Sequence, residues 1–438
     1  MISDPARLAL AIQPPPARLP QRVGFLSTRF HGTDGVSLEA AKWAHILQGF
    51  GCECFWFGGL LDTDPAVSLE DPWAYFRHPE IADLHSSLLG LSRRSRATTT
   101  QIEQIKRHLK ERIYEFIERF RLELLIPQNI LAIPMHLPLG LALTEVLAET
   151  GLPTIAHHHD FAWERERFTI NPFEDYLRAA FPPALPGIEH VVINSMAQKE
   201  MARRLGLPSS VIPNVFDFAT PPPEIDDYNR DFRAAVGLSP NDIVFLQPTR
   251  LVARKGIELA IDLLRQLRDE RAVLVLSHPA GDEGNEYETM LRERIHDAGI
   301  RALFVADRVG ETRGNDAAGR KLYTLNDVYL HADFVTYPSL YEGFGNAFLE
   351  AVYFRKPILV NEYTVYARDI APRGFRTVTM NQMVTRQVVE ETKRILSDAD
   401  LRHDWVEHNA RLGLQFFSYG VARRKLLARL ASLFGEAG

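Results

Sequence analysis

Ile243-Val244-Phe245-Leu246-Gln247-Pro248-Thr249-Arg250-Leu251-Val252-Ala253-Arg254-Lys255-Gly256 reads as a short apolar strand running into a basic loop, with a helical stretch from about Ile257 to Arg268 behind it. A strand without polar alternation is buried on both faces, as in a parallel sheet covered by helices. The same strand-loop-helix rhythm recurs downstream at Ala272 to Leu276, Phe334 to Tyr337 and Pro357 to Val360. Upstream it recurs at Val23 to Ser27, Cys52 to Phe57, Leu124 to Ile126, Thr154 to Ala156 and Val191 to Ile193, with helices predicted over about Ser37 to Gln48 and Thr98 to Phe120. Such alternation predicts an α/β fold. The proline cluster Thr220-Pro221-Pro222-Pro223-Glu224 reads as a linker between two Rossmann-like domains facing a central cleft. The expected boundaries are 20–217 for an acceptor-side domain, 218–417 for a donor domain and 418–438 for a basic amphipathic tail helix.

Composition bounds the function. The 438 residues carry a net charge of -6, so no global positive field favours nucleic acid. Cys52 and Cys54 are too few and too close for a disulfide framework and read as buried in one apolar strand, which points to a reducing, cytoplasmic setting. The run Leu8 to Ile12 is too short for a signal-peptide core. Leu122 to Leu143 is broken by Pro127, Pro134 and Pro138, whereas a membrane span needs about 20 mostly apolar residues. Peripheral membrane contact stays open.

The chemistry concentrates after two strands of the second domain. Arg250 and Lys255, beside Thr249, aim two cations at a helix N-terminus, an arrangement suited to a diphosphate. A solvated basic loop is the alternative. Ser339-Leu340-Tyr341-Glu342-Gly343-Phe344-Gly345-Asn346-Ala347-Phe348-Leu349-Glu350 follows the strand at Phe334 to Tyr337. Its glycines permit close backbone approach to a ligand. Glu342 ahead of the helix and Glu350 within it can accept hydrogen bonds from hydroxyls at two ends of one ligand. A capping acid and a surface acid would be the bland reading.

The combination resembles the retaining, family 4 glycosyltransferases of the GT-B fold (glycosyl transferases group 1). The resemblance implies that Arg250 and Lys255 bind the donor diphosphate. It implies that Glu342 contacts donor-sugar hydroxyls and that the amides of Gly343, Phe344, Gly345 and Asn346 contact sugar and phosphate. Glu350 would hold the ribose, and the base would lie near Val309 and Gly310. Asn214 resembles an interdomain motif, and the tail helix resembles one that crosses back to the N-terminal domain. The loop His31-Gly32-Thr33-Asp34-Gly35-Val36-Ser37 is a partial match to a glycine-rich loop near the phosphate, which singles out Gly35. A hexosyltransferase using a nucleotide-diphosphate sugar is implied, GDP-mannose or UDP-glucose by family default, with no tightly bound cofactor and no essential metal.

His157-His158-His159-Asp160 ends another strand. The resemblance places a histidine here beside the donor sugar, with His159 favoured as catalytic and His158 next. A strand alternates its side chains, so His157 and His159 share a face. A metal site is the alternative, but no Cys or His at helical ligand spacing completes one nearby. On the acceptor side stand Trp163, with Glu164, Arg165 and Arg167 after it, and Arg94 in a basic run that is either a solvated face or an anion site. The acceptor reads as small, polar and anionic, or as a saccharide or glycolipid intermediate. An enzyme that hydrolyses or epimerises a nucleotide sugar, a phosphorylase and a non-catalytic glycan- or nucleotide-binding module are the rivals.

Overall fold

The computed structural model describes residues 16–32, 34–280 and 286–435, so Thr33 of the glycine-rich loop lies outside the described residues. Two compact units emerge. One holds the chain up to Pro213 and again from Gly420; the other runs from Asn214 to Tyr419.

The first unit contains β1 (Arg22–Leu26), α1 (Gly35–Gln48), β2 (Glu53–Gly58), β3 (Ser68–Glu70), α2 (Pro79–Ser86), α3 (Arg96–Phe120), β4 (Leu124–Pro127), α4 (Leu137–Thr150), β5 (Thr154–His158), α5 (Glu174–Ala180), β6 (Ile188–Val192), α6 (Ser195–Leu205) and β7 (Ser210–Val211). Its sheet is parallel throughout, in the order β3-β2-β1-β4-β5-β6-β7. Val23, Phe25 and Leu26 of β1 are fully buried, as a central strand covered on both faces requires. Gly24 lets α3 approach: a Cβ there would lie 2.6 Å from Leu122 and 2.8 Å from Phe116. α3 presents Ile102, Ile105, Leu109, Ile113, Phe116 and Phe120 at helical spacing to this core.

The second unit contains α7 (Phe232–Ala235), β8 (Ile243–Gln247), α8 (Ile257–Leu267), β9 (Ala272–Leu276), α9 (Glu286–Ala298), β10 (Arg301–Phe304), a hairpin of β11 (Gly314–Asn315) and β12 (Lys321–Leu322), α10 (Leu325–His331), β13 (Phe334–Tyr337), α11 (Asn346–Tyr353), β14 (Ile358–Asn361), β15 (Val378–Met380), α12 (Arg386–Ser397) and α13 (Ala399–Phe417). Its main sheet is parallel, in the order β10-β9-β8-β13-β14-β15. In each sheet the winding reverses beside the first strand, between β1 and β4 and between β8 and β13. The loops that leave those strands diverge there and open a crevice at the carboxyl edge, where open α/β sheets bind ligands.

The tail helix α14 (Tyr419–Phe434) packs on the first unit. Lys425 Nζ donates to the Val211 carbonyl at 2.8 Å, Arg429 pairs with Glu189 at 3.0 Å, and Ser432 Oγ donates to Glu189 at 2.6 Å.

The proline cluster just past the boundary is fastened to the second unit: Tyr353 of α11 donates to the Pro221 carbonyl at 3.1 Å, and its ring packs, tilted, 4.6 Å from Phe216. One local expectation needs correction. Cys52 lies just ahead of β2, in a turn held by its N–H on the Leu47 carbonyl. Both thiols are buried, and burial pushes them up to about 11 for Cys52 and about 12 for Cys54. Among the described residues, no helix is long and apolar enough to cross a membrane.

Candidate active site

At the carboxyl edge of the second sheet, Arg250 ends the strand-to-loop turn after β8 and is exposed, while Lys255 is buried. Among the described residues Arg250 forms no ion pair. Lys255 forms an ion pair with buried Glu342, and Arg254 approaches the other carboxylate oxygen at 3.4 Å. The structure thus brings together the residue expected at the diphosphate and the residue expected at the sugar. Burial pushes the Glu342 carboxyl up, but Lys255 and Arg254 outweigh it and hold the group below its usual range. Burial draws the Lys255 ammonium down, and the pull of Glu342 in the other direction does not fully restore it. Gly256 follows in the left-handed region, and a Cβ there would meet the Pro338 carbonyl at 2.6 Å, so the glycine lets the two loops pack together.

Thr249 is buried and accepts a 2.7 Å hydrogen bond from Gln247, which in turn accepts one from Thr336 at 2.7 Å. It is therefore wired across the switch point from β8 to β13. The loop after β13 turns through Gly343 and Phe344 to Gly345, whose φ of 128° only glycine adopts readily. Tyr363 braces it by donating to the Phe344 carbonyl at 2.7 Å. Among the described residues no side chain caps α11 at Gly345, so its first amides, from Asn346 onward, present the positive end of the helix. The Asn346 side chain accepts from Asn214 at 2.7 Å, which places the Asn214 motif at this loop. Glu350, one turn into α11, accepts from Tyr329 at 2.9 Å. Val309 follows β10 and its short 3-10 turn, and bridges Tyr323; the next amide, Gly310, donates to the Tyr323 carbonyl at 2.8 Å.

Residues that the sequence reading missed also enter this edge. His278 follows β9 beside Ser277, 3.0 Å from its hydroxyl. Burial, reinforced by Lys255 and Arg250, holds its imidazole neutral, with a pKa of about 4. A polar Ser-His pair ending a fully buried strand was the available signal. Tyr329, on a helix 21 residues ahead of Glu350, offered none. A depression at the opposite, amino-terminal edge of this sheet is lined by Arg268, Arg271 and Lys356, but it holds none of the expected residues.

The first unit gathers a second set at its own carboxyl edge. His157 Nδ1 and His159 Nε2 each lie 2.9 Å from Gln128 Oε1. A carbonyl oxygen accepts from both, so His159 carries its proton on Nε2 and Nδ1 is left as an acceptor. His158 points the other way, to His190 at 3.0 Å. The three imidazoles therefore do not converge, and among the described residues no group of His, Cys, Asp or Glu side chains is placed to hold a metal ion. Burial lowers His159 to about 4, against the opposing pull of Asp160 and Asp34. Asn129, in the left-handed region at φ 63°, holds this turn by accepting the His159 and Asp160 amides and donating to Asp160.

The field of Asp34 brings the glycine-rich loop to His159. Gly35 begins α1, but Asp34 caps that helix by accepting from Val36 at 3.1 Å and Ser37 at 3.3 Å. A carboxylate thus occupies this helix end, in contrast to the uncapped end of α11. Trp163 stacks on Phe161 at 4.4 Å with Arg204 over its ring, and its buried indole N–H has no partner among the described residues. Arg94 grips both oxygens of Asp175 at 2.6 and 2.5 Å and donates to the Pro172 carbonyl, so it fastens α5 rather than standing free.

Comparison with known proteins gives these placements a context. The family described as glycosyl transferases group 1 matches residues 229–412. The chain is 33% identical over 448 residues to a mannosylglucosylglycerate synthase of Petrotoga mobilis, covering 92% of this chain and 99% of that protein. It is also 33% identical over 418 residues to a mannosylglucosylglycerate synthase of Thermotoga maritima, covering 88% and 94%. A glycosyltransferase structure from Rickettsia africae superposes with a TM-score of 0.67 at 13% identity, covering 94% of this chain and 98% of that one. At that identity the likeness speaks for the fold alone, which is the GT-B fold expected from the sequence.

Proposed function

We propose, from the premise that this chain belongs to the group 1 glycosyl transferases, that it moves a mannosyl group from GDP-mannose to a hydroxyl of a glycerate-bearing sugar, with retention of the anomeric configuration. The carrying observation is the convergence of Arg250, Lys255, Glu342 and the uncapped α11 terminus on one edge of the second sheet. The names of the two full-length relatives support the choice of mannose and of a glycerate-bearing acceptor.

Departure of a nucleoside diphosphate leaves negative charge on phosphate and positive charge on the sugar ring. Arg250, Lys255 and the α11 amides meet the phosphate charge with donors already in place. Glu342, held ionised by Lys255 and Arg254, accepts from donor-sugar hydroxyls. Glu350, oriented by Tyr329, accepts from the ribose. The base lies along the chain at Val309. Thr249 sets the loop that carries Arg250. His159, neutral and with Nδ1 as acceptor, receives a sugar hydroxyl, and Gly35 takes the donor-binding role that the family resemblance implies for its loop. Glu342 is too firmly held by cations to serve as a nucleophile. The acceptor hydroxyl attacks on the face the diphosphate leaves, and a phosphate oxygen takes its proton.

The test is to incubate the protein with GDP-mannose or UDP-glucose, with and without glucosylglycerate, and to follow nucleotide release and product. Acceptor-dependent GDP release supports the reading. Equal release without acceptor marks a hydrolase, and no release with any sugar donor marks a binding protein.

A further inference from the structure

The diphosphate end of the second unit's site has few uncommitted donors. Lys255 and Arg254 are both turned to Glu342. The first amide of α8, at Ile257, donates to the Tyr287 hydroxyl at 3.0 Å, and that hydroxyl donates to Glu258, so this helix end is already occupied. Arg250 and the first amides of α11 remain.

His278 brings a further donor to the same edge. The loop after β9 runs alongside the loop after β8: the Leu251 amide donates to the Pro279 carbonyl at 3.1 Å, and Leu251 bridges Ala280 in parallel register. His278 directly precedes Pro279, and Arg250 directly precedes Leu251, so the two side chains leave neighbouring backbone positions. The imidazole is half-buried. Its Nε2 has no hydrogen-bond partner among the described residues and is not sealed from solvent.

The other ring nitrogen has a partner that serves either protonation state. Nδ1 lies 3.0 Å from the Ser277 hydroxyl, and the same hydroxyl lies 3.5 Å from the Gln247 carbonyl. In the neutral ring the shorter bond is the better one, so Ser277 donates to Nδ1 and Nε2 carries the proton. In the imidazolium, Nδ1 donates to Ser277, whose own hydrogen turns to Gln247. Neither state strands a polar atom of the pair. Burial, with the charges of Lys255 and Arg250, holds the ring at a pKa of about 4. Among the described residues no acid offsets those cations at the ring: Glu342 answers Lys255, and Glu258 answers Tyr287. A diphosphate reverses that balance, because it brings negative charge to the two cations that oppose the proton.

We infer that His278 is a ligand of the donor diphosphate, donating from Nε2 to a phosphate oxygen, and that the ring takes a proton at Nδ1 when the diphosphate binds. The inference rests on the proposed function for the nature of the ligand. Solvent supplies the proton and recovers it when the diphosphate leaves; no bond to phosphorus changes. A charged donor makes the stronger hydrogen bond, so the contact tightens as the leaving group gains charge.

The test titrates GDP-mannose, without acceptor, into the protein by calorimetry in buffers of different ionisation enthalpy, which counts protons taken up on binding. The diphosphate of GDP-mannose is esterified at both ends, so its own charge stays constant. The wild type should take up about one proton at about pH 5.5, and its affinity should rise by about 3- to 10-fold from about pH 7.5 to that point, because uptake on binding favours binding as pH falls. His278→Ala should bind about 10-fold more weakly at about pH 5.5, with no uptake. His278→Gln keeps a neutral donor near the Nε2 position, so it should hold most of the affinity at about pH 7.5 and lose the uptake. Guanosine, which lacks the diphosphate, should bring no uptake in any of these proteins. Thermal unfolding establishes that each variant is folded. Equal uptake by the wild type and His278→Ala, or uptake with guanosine, overturns the inference and leaves the proposed function standing where acceptor-dependent GDP release persists. His278-dependent uptake without transfer to glucosylglycerate upholds the contact and sinks the proposed reaction.

Discussion

Replacing Lys255 by methionine should destabilise the second unit and abolish turnover, and the two effects should come apart. Glu342 is about nine-tenths buried and has two cationic partners, Lys255 in close contact and Arg254 at 3.4 Å. Removing one partner of a buried pair costs about 3–5 kcal/mol because a charge is stranded. Arg254 remains, so about 3 kcal/mol is expected. For a unit of this size that lowers Tm by about 6–12 °C. Adding Glu342→Gln removes the stranded charge and should restore about 2 kcal/mol, a coupling that a double-mutant cycle reads directly. Transfer by both the single and the double variant should fall by about 100-fold or more, since neither stabilises the leaving phosphate.

The pH dependence carries a sign. In the wild type, Glu342 is held below its usual range, so its contribution to stability is present above the unfolded-state pKa and lost as pH falls through the folded one. In Lys255→Met, burial wins and the folded-state pKa rises above the unfolded one. The deficit should then shrink on acidification. Thermal unfolding by circular dichroism across pH 5 to about 8, with transfer assays beside it, decides the matter. A single variant that melts with the wild type would refute the buried pair. A double variant that recovers activity would refute the phosphate role of Lys255.

Three further outcomes follow from neighbouring contacts. Tyr329→Phe removes the hydroxyl that orients Glu350, so the donor KM should rise by about 3- to 10-fold with little change in the acceptor KM. Gly345→Ala forces a side chain into φ 128° and to 2.5 Å from the Tyr363 hydroxyl, which should cost about 1–3 kcal/mol in chemical denaturation and depress activity; adding Tyr363→Phe relieves the contact but not the backbone strain. Burial raises the Glu164 carboxyl to about 7 against the Phe161 amide that donates to it, so the folded state holds a proton the unfolded chain releases. Stability should therefore decline as pH rises from about 4.5 to about 7, and Glu164→Gln should flatten that decline.

Much of this was legible in the sequence, for a physical reason. Central parallel strands such as Ile243–Gln247 are apolar on both faces and announce themselves as unbroken runs, and the loops after them must carry the ligand chemistry. Arg250, Lys255, Glu342 and Glu350 all lie within such loops or the helices they start. What stayed hidden depends on contacts between distant segments. Nothing local marks Tyr329 as the partner of Glu350, or Gln128 as the shared acceptor of His157 and His159. Strands as short as β3 and β7 carry too few residues to show a period, and nothing local marks Tyr353 as the residue that holds the Pro221 carbonyl. The Asp34 cap on α1 is an ordinary helix signal that changes the reading of Gly35, since a carboxylate already sits where a phosphate was expected to approach.

One NMR experiment on the product formed from GDP-mannose and glucosylglycerate decides whether the protein is a retaining mannosyltransferase. One GDP should be released per mannosyl group transferred, with the new linkage in the α configuration of the donor. Release of free mannose alone, or a product of β configuration, would contradict it.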